Sequence, residues 1–319
     1  MILTLTANPS SDQTITLAGT LQRGTVLRAS STTAQAGGKG VNISRAAVAA
    51  GIPTVAVLPA DVDSPFVAEL RAAGIDTRPQ RPAGPVRTNL TITEPDGTTT
   101  KINNPGPTVG ASHLALLAGA VVDLAAEATW VVLAGSLPPG APAGWYAELV
   151  GALRRTGARV AVDTSEAPLA ALAAALPASA PDLMKPNGEE LATITGGDPA
   201  TLESDPAAAA LAAGELIDQG VGAVLVTLGG AGAVLVTADG AWHAAAPPTT
   251  VVSTVGAGDS SLFGYLLATE RGLPAADALA LAVAYGSAAA SLPGTTIPRP
   301  ADVDPTAVTA VRLGAPARS

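Results

Sequence analysis

Short apolar runs alternate along the chain with longer helical segments, the rhythm of a mostly parallel sheet whose strands are joined by crossover helices. Ile2–Thr6, Thr54–Leu58, Thr129–Leu133, Arg159–Val162, Ala223–Thr227 and Ala233–Thr237 read as strands, because each is brief, apolar and rich in branched residues. Ile43–Ala50, Pro65–Ala73, Ala111–Ala126, Pro142–Arg155, Pro206–Gln219 and Ser260–Arg271 read as helices. The alanine tracts within Leu169–Leu176 and Ala207–Ala213 are strong helix formers and carry no evident chemistry. Two stretches depart from the rhythm. Thr14–Thr33 and Val86–Ile102, the latter with a turn at Glu94-Pro95-Asp96-Gly97, alternate Thr and Val and are expected to form hairpins or extended strands.

Composition narrows the class without changing this picture. A chain of 319 residues can bury a large core, and a single α/β domain over 1–319 is expected. There is no cysteine and there are only two histidines, so disulfides and thiolate metal sites are excluded and imidazole sites are scarce. A net charge of -9 argues against nonspecific nucleic-acid binding but leaves anionic small molecules open, since these answer to local charge. Met1–Thr6 lacks a basic leader and no apolar run reaches membrane-spanning length, so the expectation is a cytoplasmic protein with no membrane partner.

The candidate chemistry begins at Val252–Ser260, which ends Gly256-Ala257-Gly258-Asp259 and runs into an apolar helical stretch. Two glycines permit a tight turn that aims the first amides of a helix outward, where the positive helix end favours an anion. A carboxylate at such a place repels phosphate unless it removes a proton from the hydroxyl that attacks it. The competing account is a simple helix cap, and on this motif alone the two stand level. A second glycine segment supports the chemical account. Gly37-Gly38-Lys39-Gly40-Val41-Asn42 combines close backbone approach with a cation and an amide, a set suited to a polyol phosphate. It is not a Walker A loop, because Thr33 replaces the first glycine and Gly40 follows the lysine.

At this point the chain resembles the ribokinase-like (PfkB) carbohydrate kinases, and within them the 1-phosphofructokinase and tagatose-6-phosphate kinase branch. The resemblance spans essentially the whole chain and rests on five segments in order: Thr6–Asp12, Gly37–Asn42, Gly135–Gly140, Lys185–Leu191 and Val252–Ser260. It implies a three-layer α/β/α sandwich with a mostly parallel central sheet. It also implies a small β-strand lid over the sugar site, contributed by about 12–33 and 86–103, and pairing of two subunits through that lid.

The same resemblance distributes roles. Asp259 is the expected general base and Gly256, Ala257 and Gly258 the expected anion hole. On the acceptor side stand Asp12, Gly37, Gly38, Lys39, Asn42, Arg87 and Asn89. Asp12 could equally end a turn after Pro9, and the segment departs from the family pattern at Ser11 and Gln13, where Leu and Arg are usual. Arg87 and Asn89 alternate along one strand and so project to one face. Arg87 with Lys39 suits an acceptor that already bears a phosphate, with Arg28, Asn103 and Asn104 as weaker candidates. On the nucleotide side stand Lys185, Asn187, Thr227, Gly229, Gly232 and Gly258, although Gly229-Gly230 also reads as a hairpin. Asn187 and Glu190 match the family's Asn-x-x-Glu element; Glu190 is expected to hold magnesium through water, with Asp163 a further metal-side candidate, and Asn187 also suits a helix cap. ATP and magnesium are the expected cofactors. Ser253 stands where ribokinases carry Asp, which leaves a monovalent cation open.

The expected reaction is phosphorylation of a ketohexose phosphate, foremost fructose 1-phosphate to fructose 1,6-bisphosphate, with tagatose 6-phosphate or fructose 6-phosphate as the runner-up. A kinase for an unphosphorylated sugar or nucleoside fits Lys39 and Arg87 less well. A silent sugar-phosphate sensor would have no reason to keep Gly256, Gly258 and Asp259 together.

Overall fold

The computed structural model describes residues 1–314. Its strands are β1 (Ile2–Leu5), β2 (Ser10–Leu17), β3 (Ala29–Gly37), β4 (Thr54–Pro59), β5 (Asp76–Gln80), β6 (Arg87–Thr93), β7 (Thr99–Ile102), β8 (Trp130–Ala134), β9 (Arg159–Asp163), β10 (Leu183–Met184), β11 (Ala223–Thr227), β12 (Ala233–Thr237), β13 (Gly240–Ala244) and β14 (Ala310–Arg312). Its helices are α1 (Lys39–Ala49), α2 (Pro65–Ala72), α3 (Ala111–Ala125), α4 (Trp145–Leu153), α5 (Glu166–Ala174), α6 (Gly188–Thr195), α7 (Pro199–Ser204), α8 (Pro206–Asp218), α9 (Ala257–Glu270) and α10 (Ala275–Ala290).

Ten strands form one sheet in the order β14-β13-β12-β11-β10-β9-β8-β1-β4-β5. From β11 to β5 every pairing is parallel, and β12, β13 and β14 extend the sheet antiparallel at one edge. Side-chain alternation divides the core into two layers. Leu3, Leu5, Val131 and Leu133 pack under α3 and α4, whereas Ile2, Trp130, Val132 and Ala134 pack under α1, α9 and α10. Polar atoms inside the second layer find each other: the Thr4, Ser44 and Thr54 hydroxyls form a chain with 2.8 and 3.0 Å links.

The remaining four strands form a separate sheet, ordered β3-β2-β6-β7, that branches from the main body between β1 and α1 and again between β5 and α3. It corresponds to the two stretches that break the α/β rhythm, and the hairpin or extended strands expected across Thr14–Thr33 are the antiparallel pair β2 and β3, joined by residues 18–28. The helix expected from Ser260 starts at Ala257, with Gly256 as its N-cap at φ 77°. The helix expected from Ile43 starts at Lys39, which places the lysine in its first turn.

Helix α10 has no counterpart in the sequence reading. It is rich in alanine, and it is buried along most of its length against α9 and the sheet, so no continuous polar face marks its period. The α9–α10 contact is close because Gly264 lacks a side chain: a Cβ there would lie 2.7 Å from the Leu281 carbonyl oxygen and 2.9 Å from Ala282 Cα. Gly264→Ala is therefore expected to lower stability by roughly 1–3 kcal/mol in chemical denaturation, as overpacking does. Gly119→Ala, in α3 with open space at its Cβ, is expected to raise it by roughly 0.5–1 kcal/mol. Equal effects at the two positions would contradict the packing.

Candidate active site

Parallel strands present their C-terminal ends to one edge of the sheet, and loops leaving those ends meet where the chain order reverses between β1 and its neighbours β4 and β8. A cavity of about 910 Å³ opens there, between that edge and the four-stranded sheet. β1 leads into Asn8, Ser10 and Asp12, β8 into Gly135 and Ser136, β10 into Lys185 and Asn187, and β11 ends at Thr227; all of them line the cavity. Backbone bonds lock these ends together: Gly135 N–H donates to the Asp163 carbonyl at 2.9 Å, Lys185 N–H to Val162 at 3.1 Å and Thr227 N–H to Pro186 at 3.1 Å.

At the centre a buried carboxylate faces two ammonium groups. Asp163 Oδ1 accepts from Lys39 Nζ at 2.8 Å, and Oδ2 lies 3.3 Å from Lys185 Nζ, an ion contact without hydrogen-bond geometry. Burial alone would push the Asp163 carboxyl up, but Lys185 and Lys39 outweigh it and hold the group below the usual carboxylate range. For Lys39 the balance is similar: burial works to discharge the ammonium, while Asp163 and then Asp259 raise its pKa above the ordinary lysine value. Among the described residues no group of three His, Cys, Asp or Glu side chains is placed to hold a metal. Asp163, with both oxygens toward lysines, is thus arranged to hold cationic side chains, which differs from the metal-side part expected of it.

Asp259 lies in the first turn of α9, buried, and accepts from Asn42 Nδ2 at 2.8 Å. Burial raises its pKa, Lys39 opposes the rise, and Asp163 adds to it. The adjoining Gly256-Ala257-Gly258 turn exposes amides that have no helical partner. Gly258 keeps space for the lysine beside it, since a Cβ there would be 3.3 Å from Lys185 Nζ.

The opposite wall comes from the four-stranded sheet. In the parallel β2–β6 register Asp12 faces Asn89, whose Nδ2 donates to Asp12 Oδ1 at 3.0 Å; Ser10 Oγ donates to the same oxygen at 2.7 Å. Arg87 and Asn89 both line the cavity, as their alternation requires. Arg87 donates to the Asn104 carbonyl at 2.7 Å, while its buried Nε has no partner and burial lowers its pKa against the opposing pull of Asp12. Asn103 and Asn104 also line the cavity, whereas Arg28 is exposed outside it.

On the far side Asn187 and Glu190 form a reciprocal capping box at the start of α6, with bonds of 2.7 and 2.9 Å. Both line the cavity, so capping and a place at the site coexist. Five residues expected at the site do not line it. Gly37 is packed behind Asp12, Asp163 lies beneath the two lysines, and Ala257 begins α9. Gly229 is exposed beyond Thr227, and Gly232 is buried against the backbone of Ala244–Ala246, where any side chain would collide. The last is chain packing at a tight turn at φ 93°, the hairpin alternative for that segment. The sequence reading missed Thr6, Ser165, Glu166 and Thr295 in the lining. Glu166, a non-glycine residue at φ 56°, carried no local signal for that conformation. Ser253 donates to the Gly294 carbonyl at 3.1 Å and so braces the loop ahead of α9.

Residues 5–302 match the profile described as pfkB family carbohydrate kinase. The chain is 38% identical over 303 residues to a protein named 1-phosphofructokinase from Rhodobacter capsulatus, covering 94% of this chain and 93% of that one. It is 40% identical over 265 residues to another of that name from Xanthomonas campestris pv. campestris, covering 82% of each. Among solved structures it is similar to phosphofructokinase-2 from Escherichia coli in complex with substrates and products, with a TM-score of 0.85, 28% identity and coverage of 94% and 96%. The three layers are thus the ribokinase-like α/β arrangement that the five ordered segments imply, and the chain belongs to the pfkB family of carbohydrate kinases.

Proposed function

We propose that this kinase transfers the γ-phosphoryl group of ATP to the 6-hydroxyl of fructose 1-phosphate, giving fructose 1,6-bisphosphate. The observation that carries the reading is one cavity in which a buried, upshifted carboxylate, Asp259, stands at a helix N-terminus with Lys39 and Lys185 on one side and Arg87 and Asp12 on the other. Similarity to two proteins named 1-phosphofructokinase over most of the chain selects the acceptor. Fructose 6-phosphate is the second reading, favoured by the likeness to phosphofructokinase-2, because one arginine could hold either end of a phosphorylated ketohexose.

Asp12, steadied by Ser10 and Asn89, accepts hydrogen bonds from sugar hydroxyls. Arg87 binds the phosphate already on the acceptor, which supplies the anion its unpartnered Nε lacks. The hydroxyl to be phosphorylated lies against Asp259, oriented by Asn42, and gives up its proton there. Amides of Gly256–Asp259 and the Lys185 ammonium cradle the transferring group. Lys39 is better placed for that group than for the acceptor phosphate, since Asp163, Asp259 and Glu190 are the charges it senses. Asp163 holds both lysines. Glu190, a carboxylate in the cavity lining, would hold a magnesium ion through water, and the metal would neutralise charge on the phosphates. The four-stranded sheet would act as a lid within one domain. Exposed Leu21, Val26 and Leu27 in its β2–β3 connection and Ile102 on β7 support pairing with a second copy.

A coupled ADP-release assay over fructose 1-phosphate, fructose 6-phosphate, tagatose 6-phosphate, free fructose, ribose and adenosine should give the highest kcat/KM for fructose 1-phosphate; preference for an unphosphorylated acceptor would overturn the reading. Arg87→Gln is expected to raise the acceptor KM roughly 10- to 100-fold with ATP KM little changed, as loss of a charged hydrogen bond does. Lys39→Met should instead lower kcat about 10²-fold with a smaller effect on acceptor KM. Matching profiles for the two variants would show that both lysine and arginine serve the same phosphate.

Asp259→Asn is expected to lower kcat roughly 10²-fold or more and to remove the acid limb of the pH–kcat/KM profile, which in the parent lies above the ordinary aspartate pKa of about 3.9. Its stability should move the other way. A folded-state pKa above the unfolded value gives a contribution that is complete below the unfolded pKa and lost as pH rises through the folded pKa. The buried carboxylate is therefore a net cost at neutral pH, and the variant should unfold at a higher temperature at pH 7 with little difference near pH 4. A destabilised variant at pH 7 would show that Asp259 is held chiefly by its partners.

A further inference from the structure

The acceptor wall is anchored through one peptide. β3 is an edge strand, bonded to β2 alone, so its outward peptide groups need other partners. At Ala36, the buried residue just before Gly37-Gly38, two side chains supply them. Ala36 N–H donates to both Glu69 oxygens at 2.9 and 3.0 Å, and the Ala36 carbonyl accepts from Arg45 Nη2 at 3.0 Å. Arg45 and Glu69 close the ring with a 2.7 Å bond. Arg45 comes from α1 and Glu69 from α2, so two helices of the main body grip the strand where it leaves the four-stranded sheet. On the neighbouring residue, Gln35 Oε1 accepts from Thr295 Oγ1 at 2.8 Å.

This grip reaches the site through backbone contact. Gly37 is packed so closely under the Asp12 carboxylate that an added Cβ would overlap it, and Gly38 follows at φ 122° into Lys39. Asp12 is already bonded to Ser10 and Asn89, so it cannot retreat without breaking them. Where Ala36 sits therefore decides how far Asp12 projects into the cavity. Neither Arg45 nor Glu69 lines that cavity.

We propose that Glu69 and Arg45 are positioning residues: by clamping the Ala36 peptide they set the place of Gly37 and thus of Asp12, and so tune the grip on the acceptor sugar without touching it. The proposal rests on the reading of Asp12 as an acceptor ligand. The Glu69 side chain is 42% exposed but Arg45 is 13% exposed and Ala36 is buried, so removing Glu69 should cost a modest amount of stability, by taking an acceptor from those donors, as well as altering the local geometry.

The test uses Glu69→Ala, Glu69→Gln, Arg45→Ala and the double variant, with steady-state kinetics, thermal unfolding, and hydrogen–deuterium exchange across residues 29–37 without substrate. Glu69→Ala is expected to raise the acceptor KM about tenfold and leave the ATP KM within about twofold, with only a modest fall in the unfolding midpoint from the stranded Ala36 N–H, as a small misplacement of a positioning contact does. Glu69→Gln, which keeps an oxygen for Ala36 N–H, should recover part of the loss, and the double variant should be no worse than the poorer single because the two side chains act in one network. Exchange should quicken at 34–37 in the alanine variants. An unchanged acceptor KM, acceptor and ATP KM rising together with a fall in the midpoint, or unchanged exchange would each overturn the proposal. If the parent protein phosphorylates no ketohexose phosphate, the substrate reading falls by that result. The exchange data then still decide whether the clamp exists.

Discussion

Everything at the site is organised around one buried carboxylate between two lysines. Asp163 is fully enclosed at the end of β9, where an isolated carboxylate would be neutral; Lys185 and Lys39 keep it charged, and it in turn keeps Lys39 charged in a place where burial works to discharge it. Without it, two ammonium groups would repel each other beside the Gly256–Gly258 turn. Burial raises the nearby Asp259; Lys39 opposes that rise more strongly than Asp163 adds to it, so the acid stays more basic because it is enclosed and in spite of the lysines. The charge of Asp163 thus holds the cations in place, and its burial makes that attraction strong.

That charge could not be held so rigidly by a loop alone. Asp163 ends a strand paired on both sides, its carbonyl is tied to Gly135, and Lys185 follows a strand locked to the same neighbour. Parallel pairing brings β1, β8, β9, β10 and β11 to the same edge in register, so residues from distant parts of the sequence meet without any one segment needing strain. The four-stranded sheet is tied less firmly, by an edge strand and a few side chains. A stiff floor carrying the charges beneath a more lightly held wall carrying Asp12 and Arg87 suits an enzyme that must admit a polar acceptor and then exclude water around it.

How much of this could be read from the sequence depends on whether the physical signal was local. Strands β1, β4, β8, β9, β11 and β12 announced themselves because each is a brief apolar run bounded by turn residues. Gly37-Gly38-Lys39 and Gly256-Ala257-Gly258-Asp259 were legible because unusual residues crowd into a few positions, and the structure does bring Lys39 and Asp259 close enough to affect each other's charge. Helix α10 was hidden by uniform apolarity, and β10, only Leu183–Met184, by its brevity. Gly232 looked like a phosphate-loop glycine but answers to the Ala244 backbone, a partner that no local pattern reveals. The Arg45–Glu69–Ala36 ring and the pairing of Asp163 with two lysines are long-range contacts between ordinary-looking residues, which only the fold assembles.

The remaining buried polar atoms say where the molecule is incomplete. Among the described residues, buried side-chain atoms without a hydrogen-bond partner are Thr6 Oγ1, Arg45 Nε, Arg87 Nε, Asp163 Oδ2 and Ser260 Oγ. All but Arg45 belong to residues that line the cavity, lie beneath it or adjoin Asp259, although the main-sheet core is far larger. Folding normally eliminates such atoms, because each leaves desolvation uncompensated. Their concentration around one cavity fits a surface finished by its ligands. Arg87 illustrates the point most directly: burial depresses its affinity for its own proton while Nε stays unpartnered, so an arriving phosphate would satisfy a donor and favour the charge in one contact. Free fructose brings no such anion. The part of the site that is least satisfied in the protein alone is therefore the part that would tell a phosphorylated acceptor from a neutral one.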